Sequence, residues 1–196
     1  MPQFDLRGIR VAEYTGSKTA GDTYGTPETA GDAMAVNLEL RFAEGRLYAE
    51  SSLAEYLKKA TGGTMSMGVK YLPESVQKLL YGYTEKSRQL AGTPAKTVKS
   101  LVANKGDVPS YVGVTFYAPD MIDGVEKYTC VFVRRSLFGP PSMALNTMGE
   151  NIAFATPTTS GEFLPSPATG DLFEVAILDS EAECTAWGNL IFGVSA

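Results

Sequence analysis

The chain contains no histidine. That removes Ser-His-Asp and Cys-His catalytic machinery and every His-containing zinc site. Cysteine is nearly as scarce: only Cys130 and Cys184 occur, far apart and each in an apolar pattern. Two cysteines are too few for the disulfide framework of a small secreted domain. They read as two buried, reduced thiols and not as a metal site. Met65 and Met67 read as core thioethers rather than copper ligands. There is no Gly-x-x-x-x-Gly-Lys-[Ser/Thr] loop and no Gly-x-Gly-x-x-Gly after a strand, so no phosphate cradle is expected. No run approaches the ~18 apolar residues of a membrane span. The opening Met1-Pro-Gln-Phe-Asp-Leu-Arg7 lacks the basic start and apolar run of a secretion signal. A carboxylate pair depends on separation in space, and nothing in the spacing of Asp and Glu favours one. The expectation is a protein that is not an enzyme and holds no cofactor and no metal.

Cations are outnumbered. There are 17 Lys and Arg against 22 Asp and Glu, giving a net charge of −5. Tight binding to nucleic acid needs cations that neutralise phosphates, so a nucleic-acid ligand is not expected. An acidic surface would instead repel DNA. Apolar residues make up 44% of the 196-residue chain and charged ones 20%, a globular composition. A chain of this size buries roughly 70% of its unfolded surface, enough for one domain with a substantial core. Its 20 Gly and 11 Pro suit many short strands joined by turns.

The richest stretch is residues 110–164. Asp123-Gly124 separates two β-rich runs, and both turn residues tolerate positive φ, so a hairpin is expected. Pairing Ile122 with Val125 sets Phe116 opposite Val131 and Tyr117 opposite Cys130. Both faces of the hairpin are then apolar, whereas a solvated antiparallel sheet has one polar face. The hairpin is therefore covered on both sides, by its own domain or by neighbouring subunits. Pro119 marks a place where a bulge would shift that register.

Elsewhere the patterns are shorter. Residues 5–14 read as a strand and 16–32 as a long flexible turn whose only aromatic is Tyr24. Met34, Val36, Leu38, Leu40 and Phe42 alternate with Ala35, Asn37, Glu39 and Arg41, which gives a long half-buried strand. Residues 44–63 leave two readings open. Leu53, Tyr56, Leu57 and Ala60 have helical spacing, with Ser52 and Glu55 as a capping box and Gly62-Gly63 as a stop; the alternative is an extended, protruding loop. Met65 to Tyr71 alternate again. Pro73 to Gly82 reads as a helix with a Val76, Leu79, Leu80 stripe. Residues 84–109 look polar and turn-rich, with a short strand at Lys96–Val102. Residues 150–156 and 172–178 read as strands. A final helix starts at the Ser180/Glu183 capping box and ends at Gly193, with Trp187 packed into the core. About seven or eight strands and two or three short helices give a mainly β (α+β) single domain, a β-sandwich or partial barrel with flanking helices.

The order of these segments resembles the major tail (tail tube) proteins of long-tailed, non-contractile bacteriophages, the siphophage major tail protein family. The resemblance rests on Tyr24-Gly-Thr-Pro27 with the strand at 35–42; Leu47-Tyr-Ala-Glu50; residues 62–69 running into Leu72–Leu80; Tyr111–Tyr117 with Lys127–Val133; and Thr147–Phe154 with Thr156–Thr159. It spans residues 6 to 192 and departs from the family pattern at Phe138–Ala144. It implies a β-sandwich similar to type VI secretion tube subunits, with no enzymatic activity and no cofactor. It further implies a homo-oligomer of hexameric rings stacked into a tube in the virion tail, made in the host bacterial cytoplasm. Its partners would be the tape measure, tail terminator and distal tail proteins, and genomic DNA would pass through without specific binding. Candidate inter-subunit or lumen residues are Tyr24, Glu44, Tyr48, Glu50, Glu55, Arg134 and Arg135; for the charged ones the plain alternative is solvated surface. Two other readings compete. One is a virion module binding a carbohydrate or receptor through a platform of Tyr24, Tyr48 and Tyr83. The other is a different tail ring protein, such as a terminator.

Overall fold

The computed structural model describes residues 5–49, 52–92, 94–141 and 156–194. In chain order the elements are β1 (Arg7–Glu13), β2 (Glu28–Thr29), β3 (Ala33–Ala49), β4 (Ser52–Val69), α1 (Glu74–Tyr81), β5 (Thr84–Leu90), β6 (Lys96–Val102), β7 (Val112–Ile122), β8 (Val125–Phe138), β9 (Thr158–Phe163), β10 (Phe173–Leu178) and α2 (Glu181–Phe192). The architecture is mainly β, with antiparallel sheets and two short helices. Neither helix is long and apolar enough to cross a membrane among the described residues.

The Asp123-Gly124 turn sets the register of the centre. Asp123 has φ 52° and Gly124 φ 79°, the left-handed pair that a two-residue hairpin needs. Ile122 pairs with Val125, Phe116 with Val131 and Tyr117 with Cys130, as the sequence implies. Pro119 does not disturb this register. Counting back from the turn, it falls at a non-hydrogen-bonded position, so its missing N–H would point away from β8. The irregularity lies instead between Val112 and Val114.

Everything else is added to this hairpin. The main sheet runs β2-β1-β7-β8-β9-β4-β3, and β10 pairs with β8 alongside. β9 bends the sheet by pairing with β8 through residues 136–138 and with β4 through residues 63–68. β4 thereby rolls over one face of β7 and β8. Met65, Met67 and Val69 of β4 meet Ile9, Val11, Val114, Phe116 and Val133 in one core, and α1 adds Val76, Leu80 and Tyr81. The opposite face carries Phe132, which is covered by Phe192 of α2 and by Tyr24, with ring centroids 5.4–5.5 Å apart.

Both helices end as their sequences indicate. Gly82 and Gly193 are left-handed C-caps, and Ser180 accepts a hydrogen bond from the Glu183 N–H. Pro73 is the N-cap of α1 rather than its first helical residue. The buried face of α2 is Cys184, Gly188 and Phe192; Leu190 is 76% exposed.

Three expectations are corrected. Residues 52–61 are not a helix, nor are 44–63 a loop: β3 and β4 form one long hairpin, with Glu44 opposite Lys58 and Arg46 opposite Tyr56. The Gly62-Gly63 step does not stop a helix. It lets β4 pass under β9, since a Cβ on Gly63 would lie 2.4 Å from the Phe163 ring. Second, Cys130 and Cys184 are disulfide-bonded, not free thiols. Both lie on the covered side of the sheet, and α2 brings their Cα atoms to 6.1 Å, a bonding distance that spacing in sequence does not reveal. Third, residues 16–32 are tied down. β2 pairs with β1, Tyr14 bridges to Tyr24, and Ser17 bridges to Gly21. β2, β5 and β9 had no clear signal in sequence. The strand expected at 150–156 lies almost wholly outside the described residues.

The disulfide closes a loop across a sequence separation of 54. Cys184→Ser should lower the unfolding free energy by about 2–4 kcal/mol. Urea denaturation with and without reductant checks this, and the reductant should change the wild type only.

Candidate functional site

Among the described residues no group of three or more Cys, Asp or Glu side chains is placed to hold a metal ion. The distinctive features are surfaces, and the first is the outer half of the β3–β4 hairpin. Its inner half is held on one flank by β9, but outward of Gly62 the two strands pair, among the described residues, only with each other. One face of the hairpin begins in the core with Met65, Met67, Val36 and Leu38. The same face continues outward to Leu40 and Phe42, which are 41% and 43% exposed. The alternation seen in sequence is thus real, but its apolar stripe runs off the end of its own core.

Beyond Phe42 the stripe becomes polar in an ordered way. Lys58 Nζ lies 4.3 Å from the Phe42 ring centroid and 3.1 Å from the Glu44 carboxylate. The Arg46 guanidinium sits over Tyr56, 5.5 Å from its centroid. Hydrogen bonding from Lys58 and then Tyr56 holds the Glu44 carboxyl below its ordinary pKa. On the other face Leu47 and Leu57 flank Gly45, each 58% exposed. Tyr48 is likewise exposed, and Glu55 lies opposite Leu47. Glu50 lies outside the described residues.

The second surface is the sheet face beside β10. Phe173, Val175 and Ile177 alternate along this strand, opposite Val133, Val131 and Thr129. They are exposed although they continue the face that is core further along the hairpin. Next to them an open groove of about 350 Å³ runs between Met34 and Val36 of β3 and Phe116, Ala118 and Val131 of the central hairpin. The hairpin is therefore apolar on both faces, as read from sequence, but its own domain covers one of them incompletely. A period of two in Phe173-Glu-Val-Ala-Ile177 was the available signal for this patch.

Tyr24, Arg134 and Arg135 lie together, away from the arm. The Tyr24 hydroxyl donates to the Arg134 carbonyl at 3.0 Å, and burial chiefly pushes the phenol pKa up. The Arg134 guanidinium reaches Asp22 at 3.3 Å, Asp171 at 3.5 Å and Glu174 at 2.9 Å. Asp22, whose side chain is only 8% exposed, also accepts from Tyr14 and Ser166. Arg135 stacks on Tyr111 at 3.8 Å. This network pins the 16–32 segment to the sheet within one chain. Asp22 was not singled out in sequence, because nothing near it in the chain marks its burial.

Charge is segregated between two further places. β5 and β6 form a separate two-stranded ribbon that does not join the main sheet. Residues 84–102 carry Lys86, Arg88, Lys96 and Lys99 against Glu85 alone, 4 − 1 = +3. At the other extreme, the β7–β8 turn meets the start of α2. There Asp5 and Glu181 pair with Arg7, Asp179 pairs with Lys127, Glu183 caps the Asp179 N–H, and Asp120, Asp123 and Glu126 complete the group. Seven acids against two cations give 2 − 7 = −5.

No protein-family model matches the chain, and no curated protein matches it.

Two outcomes follow from this geometry. Arg134→Ala strands the buried Asp22 carboxylate and should cost about 3–5 kcal/mol. Arg41→Ala, which breaks only the exposed pair with Glu162, should cost under about 1 kcal/mol; thermal melts compare the two. Hydrogen bonds from Lys78 and then Lys99 hold the Glu85 carboxyl at about 2, against an ordinary 4.5. Its folded pKa is depressed, so its contribution is present above 4.5 and lost as pH falls towards 2. Carboxyl NMR should show Glu85 titrating well below the ordinary 4.5, and Lys78→Met should move its midpoint up.

Proposed function

We propose that this chain is a structural subunit that assembles with copies of itself, without catalysis, into stacked rings forming the tail tube of a long-tailed bacteriophage. The observation that carries the reading is the β3–β4 hairpin, whose apolar stripe leaves the core at Leu40 and Phe42 and projects, among the described residues, without a covering layer. Apolar surface of this kind is stabilised by a neighbour, and a second patch at Phe173, Val175 and Ile177 supplies a distinct surface for contact. Two different surfaces suit heterologous contacts, which close into rings or extend into filaments. The mainly β fold, the acidic balance and the resemblance of the ordered segments to those of tail tube proteins agree with it. An acidic lumen would let DNA slide without sticking.

The alternative of a glycan- or receptor-binding module has less support. It asks for an aromatic platform of Tyr24, Tyr48 and Tyr83, yet Tyr24 is held in the aromatic cluster beside α2 and Tyr83 packs against the main core. Only Tyr48 of the three stands exposed.

Negative-stain electron microscopy across a concentration series tests the proposal, with stacked rings or hollow tubes expected. Replacing residues 46–56 with Asn-Gly closes the hairpin at the Gly45–Leu57 pair. That variant should melt within a few degrees of the wild type and form no tubes. Tubes formed by it as readily as by the wild type would remove the arm from assembly.

A further inference from the structure

The basic ribbon carries three cations that pair with no acid among the described residues. In the pairing of β5 with β6, Glu85, Ser87 and Gln89 lie on one face with Leu101, Lys99 and Thr97. On that face Glu85 bonds Lys78 and Lys99. The other face presents Lys86, Arg88 and Lys96 beside Val98 and Leu90. Among the described residues none of these three cations makes an ion pair, and all are exposed. A face with cations, aliphatic cover and no acid suits an acidic protein surface better than solvent alone.

The complementary surface lies on the same molecule but out of reach. The ribbon's root, at Gly82 against the Val108 backbone, sits just before β7 begins at Val112. The acidic end, with Asp123, Glu126 and Glu183, is where β7 finishes. Eleven residues of strand separate the two by about 34 Å. A Debye length of about 8–10 Å leaves such distant charges almost blind to each other within one chain.

We infer that the Lys86/Arg88/Lys96 face of the β5–β6 ribbon docks on the acidic β7–β8 turn and α2 start of a second copy of this chain. The contact is head to tail, since the two surfaces differ and lie at opposite ends of the central strand. Repeated, it gives every copy the same polarity and does not stop at two. It specifies one contact of the assembly proposed above and rests on that reading. A small nucleic acid is the other conceivable occupant of a basic ribbon, but three cations on a chain of net charge −5 make a weak phosphate grip.

The test uses the full chain in sedimentation velocity at low and high salt. Two variants are compared with the wild type: K86E/R88E/K96E in the ribbon, and D123N/E126K at the acidic end, where Asn keeps the positive φ of residue 123. Circular dichroism melts establish that each folds. The wild type should associate more at low salt, and each variant should weaken association about tenfold or more. Mixing the two variants leaves one working ribbon and one working acidic end, so the mixture should associate more than either variant alone. Association that is equal in wild type and both variants overturns the docking and leaves self-assembly standing. A wild type that stays monomeric at every concentration and salt overturns both. Binding of an oligothymidylate by the wild type and not by the ribbon variant, with self-association unchanged, would reassign the ribbon to nucleic acid.

Discussion

The β7–β8 hairpin must be dry on both faces, and the rest of the molecule follows from that constraint. Val114, Phe116, Val131 and Val133 share one face, and Cys130 and Phe132 the other. Burying the first set needs a second layer of sheet, which β9 provides by steering β4 across it. Burying the second needs a helix, and α2 is pinned there by Phe192 and by the bond from Cys184 to Cys130. The pairing of β1 with one edge and β10 with the other then completes the ladder. A two-sided apolar hairpin is expensive to leave wet, so each cover is a condition for the next.

The covers are unequal, and the inequality is informative. On the α2 side the cover includes a covalent link and three mutually packed rings. On the other side it is thick at the Val114 end and gives out toward Thr129 and β10. Many of the exposed apolar residues follow one strand and one arm, while others, such as Val108 and Leu190, stand apart. A monomer would gain by carrying polar residues there; a subunit whose neighbours supply the missing layer would not. The same logic applies to the ribbon, where cations gather on one face while their acids gather far away.

Legibility in the sequence followed the range of the interactions. The central register was readable because a two-residue Asp-Gly turn fixes it from four adjacent residues. The glycine C-caps of both helices and the Ser180 cap of α2 were readable for the same reason, whereas Pro73 proved to be the N-cap of α1 and not its first helical residue. Features fixed by distant partners were not. The partnership of Cys130 with Cys184 depends on where α2 crosses the sheet, and the burial of Asp22 depends on Arg134, more than a hundred residues away. The outer hairpin misled through its composition: Leu53, Tyr56, Leu57 and Ala60 satisfy a helical period, yet they lie on a strand whose pairing with β3 outweighs local propensity. Of the residues singled out in advance, the arm and the Arg134 cluster proved to be two separate places, because sequence shows which side chains are unusual but not which are neighbours.

The bulge at Thr61 and Gly62 gives the arm a mechanical character. Thr61 is the extra residue between the Arg41–Gly62 and Phe42–Ala60 pairs, and Gly62 has φ 142°. Inward of it β4 is clamped between two strands; outward it is a cantilever. The eight residues of β3 from Phe42 to Ala49 reach about 24 Å, so a flexure of about 10° at the clamp sweeps the tip by about 4 Å. In the proposed assembly a lever of that length would keep hold of a neighbour whose position shifts by several ångströms, the compliance that a long filament needs in order to bend without parting at its joints.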